Sequence, residues 1–191
     1  MKCEVCSDRQ CRDGKDCFDG AADPLPHLDE EDLRIWRAAS RVEAEHYFKI
    51  PRLQELVESS KLMRYKKLGL AFCIGLQDES ELIVSRLSAD FDVVSVCCKA
   101  CGLSKDKLDL PKIHGDGFEA TCNPVGQALL LKEEETDLNV ILGLCLGHDV
   151  LFTKHSKAPV TTLAVKDRVL AHNPLGAIYS GYYRRAKEGL S

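Results

Sequence analysis

Long hydrophobic runs are missing from this chain. The most apolar stretches, VILGLCLG and AFCIGL, fall far short of the roughly 18 residues a bilayer span requires, so no membrane segment is expected. A dominant charge of one sign is missing too: 26 Lys plus Arg stand against 30 Asp plus Glu, a net charge of −4. That balance leaves no positive field to mark nucleic acid as a partner. The signatures G-x-x-x-x-G-K-[ST], G-x-G-x-x-G after the first strand, H-E-x-x-H and G-x-S-x-G are all absent, which removes the usual support for nucleotide-dependent and serine-hydrolase readings. The opening MKCEVCSDRQ is polar, so no secretory signal is expected there and a reducing cytoplasm is the expected location.

Cysteine is what the chain has in plenty. In a reducing compartment, ten cysteines in 191 residues read as metal ligands or redox groups before they read as a disulfide framework. At 45% hydrophobic, the rest of the chain can bury one sizeable core.

Three regions follow from the pattern. Residues 1–20 carry Cys3, Cys6, Cys11 and Cys17 and almost nothing apolar, so this arm needs a metal staple to hold a shape. Residues 21–65 begin as a Pro- and acid-rich linker and continue as a helical hairpin. Its first helix runs from Glu30 to about Tyr47, with Leu33, Trp36, Val42 and Tyr47 on one side. Pro51 restarts the helix, where Leu53, Leu56, Val57 and Ser60 follow the i, i+3, i+4, i+7 rule. Residues 66–191 alternate apolar runs (67–75, 91–98, 138–145, 160–166) with helical segments (77–89, 124–135, 148–156). Such runs suit strands buried on both faces of a parallel sheet. The expected fold is therefore α/β, a small doubly wound, mostly parallel, Rossmann-like sheet preceded by the hairpin and the arm. A last helix, capped by Asn173 and Pro174, is expected to dock its stripe of Leu175, Ile178, Tyr179 and Tyr182 on the sheet.

In such a sheet, ligands collect outside the carboxyl ends of the strands. Cys73, Cys98 with Cys101, and Cys145 end successive predicted strands, and Cys122 precedes a helix. A lone cysteine is as often a small buried hydrophobe as a ligand. Packing alone does not explain clustering at strand ends, whereas a thiolate-rich edge suits soft metals and iron–sulfur chemistry. His148, directly after GLCLG, is the histidine best placed to join them. Lys154, Lys166, Asp167 and Arg168 form a charge cluster near the end of the last strand and are weaker candidates for binding an anionic substrate or offsetting a cluster's charge, since charged side chains at strand ends are ordinarily just solvated.

The arm is spaced C-x2-C-x4-C-x5-C. Four sulfurs this close in sequence can hold a closed tetrahedral zinc or a 4Fe–4S cluster. The second C-x2-C knuckle of a zinc ribbon is absent, which favours iron–sulfur over zinc. Cys98-Lys99-Ala100-Cys101 also fits a thioredoxin-like dithiol, although GLSKDKLDLP after it starts no convincing helix.

The blocks KCEVC with CRDGKDC, LGLAFCIGL, VVSVCCKACG, TCNPVGQA, GLCLGHDVLFTKHSKAPVTTLAVKDR and HNPLGAIYSGYYRR span essentially the whole chain. Together they resemble the cysteine-rich domain-of-unknown-function family numbered eighteen forty-seven, from anaerobic bacteria and archaea. The resemblance implies metal binding and no established reaction. The functional expectation is an iron–sulfur protein engaged in electron transfer or small-molecule redox chemistry; the alternatives are a zinc-stapled α/β binding or metal-handling module without catalysis and a dithiol oxidoreductase using Cys98 and Cys101. A redox partner protein and a homodimer through the hairpin are the expected associations.

Overall fold

The computed structural model describes residues 2–186. The expected third region, 66–191, therefore ends in five residues outside the described ones.

Four strands, β1 (Lys67–Phe72), β2 (Asp92–Cys97), β3 (Leu138–Leu142) and β4 (Val160–Ala164), form one sheet in the order β2-β1-β3-β4. Every pairing is parallel. The order reverses between β1 and β3, because the chain steps outward from β1 to β2 and then returns past β1 to place β3. This is the topological switch point at which open α/β sheets bind ligands.

The hairpin helices α1 (Glu30–His46) and α2 (Arg52–Met63) precede the sheet, and α3 (Gln77–Leu87), α4 (Pro124–Glu133) and α5 (His148–His155) connect its strands. Local sequence sets their starts. Asp29 and Asp32 form a reciprocal capping box on α1, which satisfies amides that would otherwise be orphaned. Asn123 Oδ1 accepts from the Gly126 amide at 2.8 Å, and Pro124 follows as the first residue of α4.

Alternation along β1 divides the core. Leu68, Leu70 and Phe72 pack with Leu56 and Val57 of α2 and Leu87 of α3. Ala71 and the residue after the strand, Cys73, pack with Ala128 and Leu131 of α4 and Phe152 of α5. Helices thus cover both faces, and the fold is the doubly wound α/β architecture expected. No helix among the described residues is long and apolar enough to cross a membrane.

Three expectations need correction. The strands stop one to three residues earlier than the apolar runs suggest, so Cys73, Cys98 and Cys145 lie in the turns just beyond them. Trp36 and Tyr47 are 52% and 63% exposed, and α1 buries Ala38 and Val42 instead: small residues form its contact with α2. The C-terminal stripe does not dock. Its helix divides into α6 (Leu175–Tyr179) and α7 (Gly181–Ala186) at the extended Ser180, and Leu175, Ile178, Tyr179 and Tyr182 remain exposed. Flanking Gly176 and Gly181 weaken the helix, so no continuous apolar face is presented to the sheet.

Candidate functional site: a thiol cluster at the switch point

Cys73 follows β1, Cys98 follows β2, and Cys122 enters α4 from the loop that Cys98 begins. The Asn123 amide donates to the Cys98 carbonyl at 2.7 Å, which fixes the two segments side by side. As a result the Cys98 and Cys122 sulfurs lie 3.8 Å apart, and Cys73 hydrogen-bonds with the other side of Cys98. The Ile74 amide donates to Cys98 Sγ at 3.3 Å. Cys98 is 2% exposed.

The three thiols divide their protons unequally. Cys98 is pushed up by its hydrogen bonds with Cys122 and Cys73 and by burial, so it keeps its proton, which its single S–H can offer to only one neighbour at a time. Its neighbours become the anions. Cys73 is lowered to about 4, first by Cys98 and also by the Gly75 amide and Lys166. Cys122 is lowered to about 5, first by Cys98 and then by the charges of Lys99 and His148. Hydrogen bonding to the charged form and nearby cations are the two influences that favour a thiolate.

Cys145, in the turn after β3, accepts from Arg168 Nη2 at 2.9 Å. His148 opens α5 just beyond it. Among the described residues Lys99, Lys166 and Arg168 form no salt bridge. The acids in the same segments are engaged by the backbone: Asp149 accepts from the Gly147 and Val150 amides, and Asp167 from those of Val169 and Leu170. Lys99, Lys166 and Arg168 therefore stand at the thiol edge without an ion-pair partner among the described residues, next to the still-charged Asp149 and Asp167.

Cys101 differs from the others. It is exposed and sits in a tight turn at φ +70°, an uncommon conformation for a residue with a side chain. The sulfur neighbours of Cys98 are Cys122 and Cys73. In the arm, Cys3, Cys6, Cys11 and Cys17 are all exposed on short 3-10 turns at Cys3–Val5 and Gln10–Asp13 and the loop after them. Cys6 is lowered by hydrogen bonds from the Arg9 and Asp8 amides, an environment that suits a bound thiolate. An Asp8–Lys15 ion pair and the Asp16 carboxylate, which accepts from the Phe18 and Gly20 amides, brace the loop. Among the described residues no group of three or more His, Cys, Asp or Glu side chains is arranged to hold a metal ion as it stands.

Two residues that the sequence did not single out as site residues support the cluster. Gln127 of α4 is fully buried, and its Nε2 donates to the Phe72 and Val96 carbonyls at 3.2 and 2.7 Å, tying the ends of β1 and β2 together beside Cys73 and Cys98. A lone amide in the apolar run PVGQALLL was the available signal. Lys99 donates to the Ala120 carbonyl at 2.6 Å and thereby holds the Cys122 loop. A separate groove of about 710 Å³ between the hairpin and β4 is lined by residues such as Val42, Tyr47, Leu56 and Thr161. No cysteine lines it.

The loop joining Cys101 to Cys122 is locked by Glu119. Its carboxylate pairs with Lys105 at 2.6 Å and accepts from the Ile113 and His114 amides, which lowers it to about 2, Lys105 being the first cause. The folded value lies below the unfolded 4.5. The contribution is therefore complete above the unfolded value and is lost as pH falls through the folded one. Pepsin nicking between Lys105 and Glu119 is expected to accelerate severalfold as the pH drops across that window. In Glu119→Gln, nicking by a neutral protease is expected to be fast at pH 7. A pH-independent nicking rate would contradict this.

Fold and site together define a cysteine-rich, all-parallel α/β protein with thiols gathered at its switch point. The chain belongs to the family described as "Protein of unknown function (DUF1847)", whose model matches residues 17–163. It is also 51% identical over 185 residues to the "Uncharacterized protein MJ0455" of Methanocaldococcus jannaschii, covering 96% of each chain. No solved structure matches it. The family match includes Cys73, Cys98, Cys101, Cys122, Cys145 and His148 and begins at Cys17.

Proposed function

We propose that this is a thiolate-based metal protein of a reducing cytoplasm, with a role in electron transfer or small-molecule redox chemistry. The observation that carries the reading is the gathering of Cys73, Cys98 and Cys122 at the switch point, with the Cys98 and Cys122 sulfurs 3.8 Å apart, beside cations that offset thiolate charge. Cys73, Cys98 and Cys122 would hold the group, with Cys145 as the fourth sulfur and Cys101 and His148 as the outer candidates. Cys3, Cys6, Cys11 and Cys17 would hold a second, closed centre. Loading either site requires side chains to turn toward a common point, which the exposed arm and the turns beyond the strands allow. An iron–sulfur cluster, 4Fe–4S in type, would supply one-electron transfer. The protein's own part is to keep Cys73 and Cys122 ionised and to exclude water from Cys98.

Anaerobic purification followed by metal analysis and a visible spectrum tests this. Iron with inorganic sulfide and a brown chromophore are expected. A colourless protein carrying zinc would favour the second reading, an α/β binding or metal-handling module stapled by zinc without catalysis. A protein with neither metal after reconstitution would end both. The expected partners, a redox protein and a second copy of the chain, belong to the same reading, and light scattering tests the latter.

A further inference from the structure

We propose that Cys98 and Cys122, and not the sequence-adjacent Cys98 and Cys101, form a reactive dithiol pair that reduces low-molecular-weight disulfides. This deepens the small-molecule redox part of the reading above and is a property of the metal-free protein, since the same sulfurs cannot hold a metal and cycle as a dithiol at once. The sulfurs are already in contact at 3.8 Å, and closing to a disulfide of about 2.05 Å needs small side-chain rotations. The backbone hydrogen bond from Asn123 to Cys98 keeps the two segments adjacent throughout. Cys101 lies across a strained turn, exposed to solvent.

Exposure assigns the order of events. Cys122 is partly exposed while Cys98 is almost fully buried, so an incoming disulfide meets Cys122 first. The Cys122 thiolate attacks one sulfur of the substrate, forming a mixed disulfide and expelling one thiolate. The Cys98 sulfur, losing its proton, then attacks Cys122 Sγ, forms the internal disulfide and expels the second thiolate. Two protein sulfurs lose two electrons, and the substrate disulfide gains them. The two released thiolates take up one proton from Cys98 and one from solvent.

The test uses the full-length, reduced, metal-free protein with glutathione disulfide as the probe, followed by alkylation and peptide mapping. A Cys98–Cys122 cross-link with release of two glutathiones per disulfide is expected. In Cys122→Ser no internal disulfide to Cys98 is expected; should that variant misfold, the map of the unmodified protein decides alone. A Cys98–Cys101 or Cys73–Cys98 cross-link, or a reaction that stops at the mixed disulfide, overturns the pairing. Metal content of the protein as purified is read separately, so failure of the metal reading and failure of this one are distinguished.

Discussion

Cys98→Ala is expected to cost the switch-point site its metal, with affinity for zinc falling by at least the about 10–100-fold that loss of a mere outer-shell partner brings. The reason is that Cys98 contributes twice. It is a candidate sulfur in its own right, and its hydrogen bonds are the first cause of the lowered values of both Cys73 and Cys122. Without it, both thiols rise toward their ordinary 9.0. At neutral pH they then hold protons that a metal must displace. A second signature follows. In the unmodified protein Cys73 and Cys122 are held below the ordinary thiol value, so their share of the affinity varies less with pH than in the variant. In the variant the affinity should climb steeply with pH. Competition against a chromophoric chelator at several pH values measures both effects. Cys101→Ala, at an exposed turn, is expected to cost less affinity than Cys98→Ala, because Cys101 is not among the causes of the lowered values of Cys73 and Cys122. Equal losses in the two variants would remove Cys98 from its central place.

The architecture was legible because each level of the sequence agreed with the next. The α2 stripe of Leu53, Leu56, Val57 and Ser60 faces the core, Pro124 opens α4, and the apolar runs pair in parallel. Agreement of this kind is what makes a fold readable. Hydrophobicity alone misled where it was not matched by shape. Trp36 and Tyr47 satisfied the helical period yet stayed outside, since the α1–α2 contact is made through Ala38 and Val42. The edge of the site was legible for a topological reason: parallel strands all end on one side. Which sulfurs touch was not, because that depends on backbone geometry with little trace in the pattern. Cys98-x-x-Cys101 reads as a pair by spacing, but Cys101 turns into positive φ while Cys122, 24 residues from Cys98, is brought into contact by one backbone hydrogen bond.

Gly69→Ala should destabilise the protein by about 3 kcal/mol, through overpacking combined with disruption of a buried polar group. Gly69 sits inside β1 on the face that meets α4. A Cβ there would fall 2.9 Å from Leu131 Cδ1 and inside the contact distance of Asn139 Oδ1. Neither neighbour has room to move. Leu131 is fully buried, and the Asn139 side chain is held at both ends, accepting from Thr136 Oγ1 and donating to Ser156 Oγ, each at 2.8 Å. A glycine within a strand marks such a close approach. In a domain of this size the loss corresponds to a fall of about 6–12 °C in Tm. Adding Asn139→Ala removes one of the two collisions but leaves Leu131 and deletes the amide's hydrogen bonds with Thr136 and Ser156, so the double variant should not recover to the parent. The consequence reaches the thiols, because α4 carries Gln127 and begins at Asn123, next to Cys122. If α4 is displaced from the sheet, the Gln127 bridge to Phe72 and Val96 lengthens and the Cys98–Cys122 contact loosens. Thermal unfolding by circular dichroism measures the first effect, and the yield of the Cys98–Cys122 cross-link in the folded variant measures the second. An unchanged Tm would mean that the sheet and α4 are less tightly apposed than Gly69 implies.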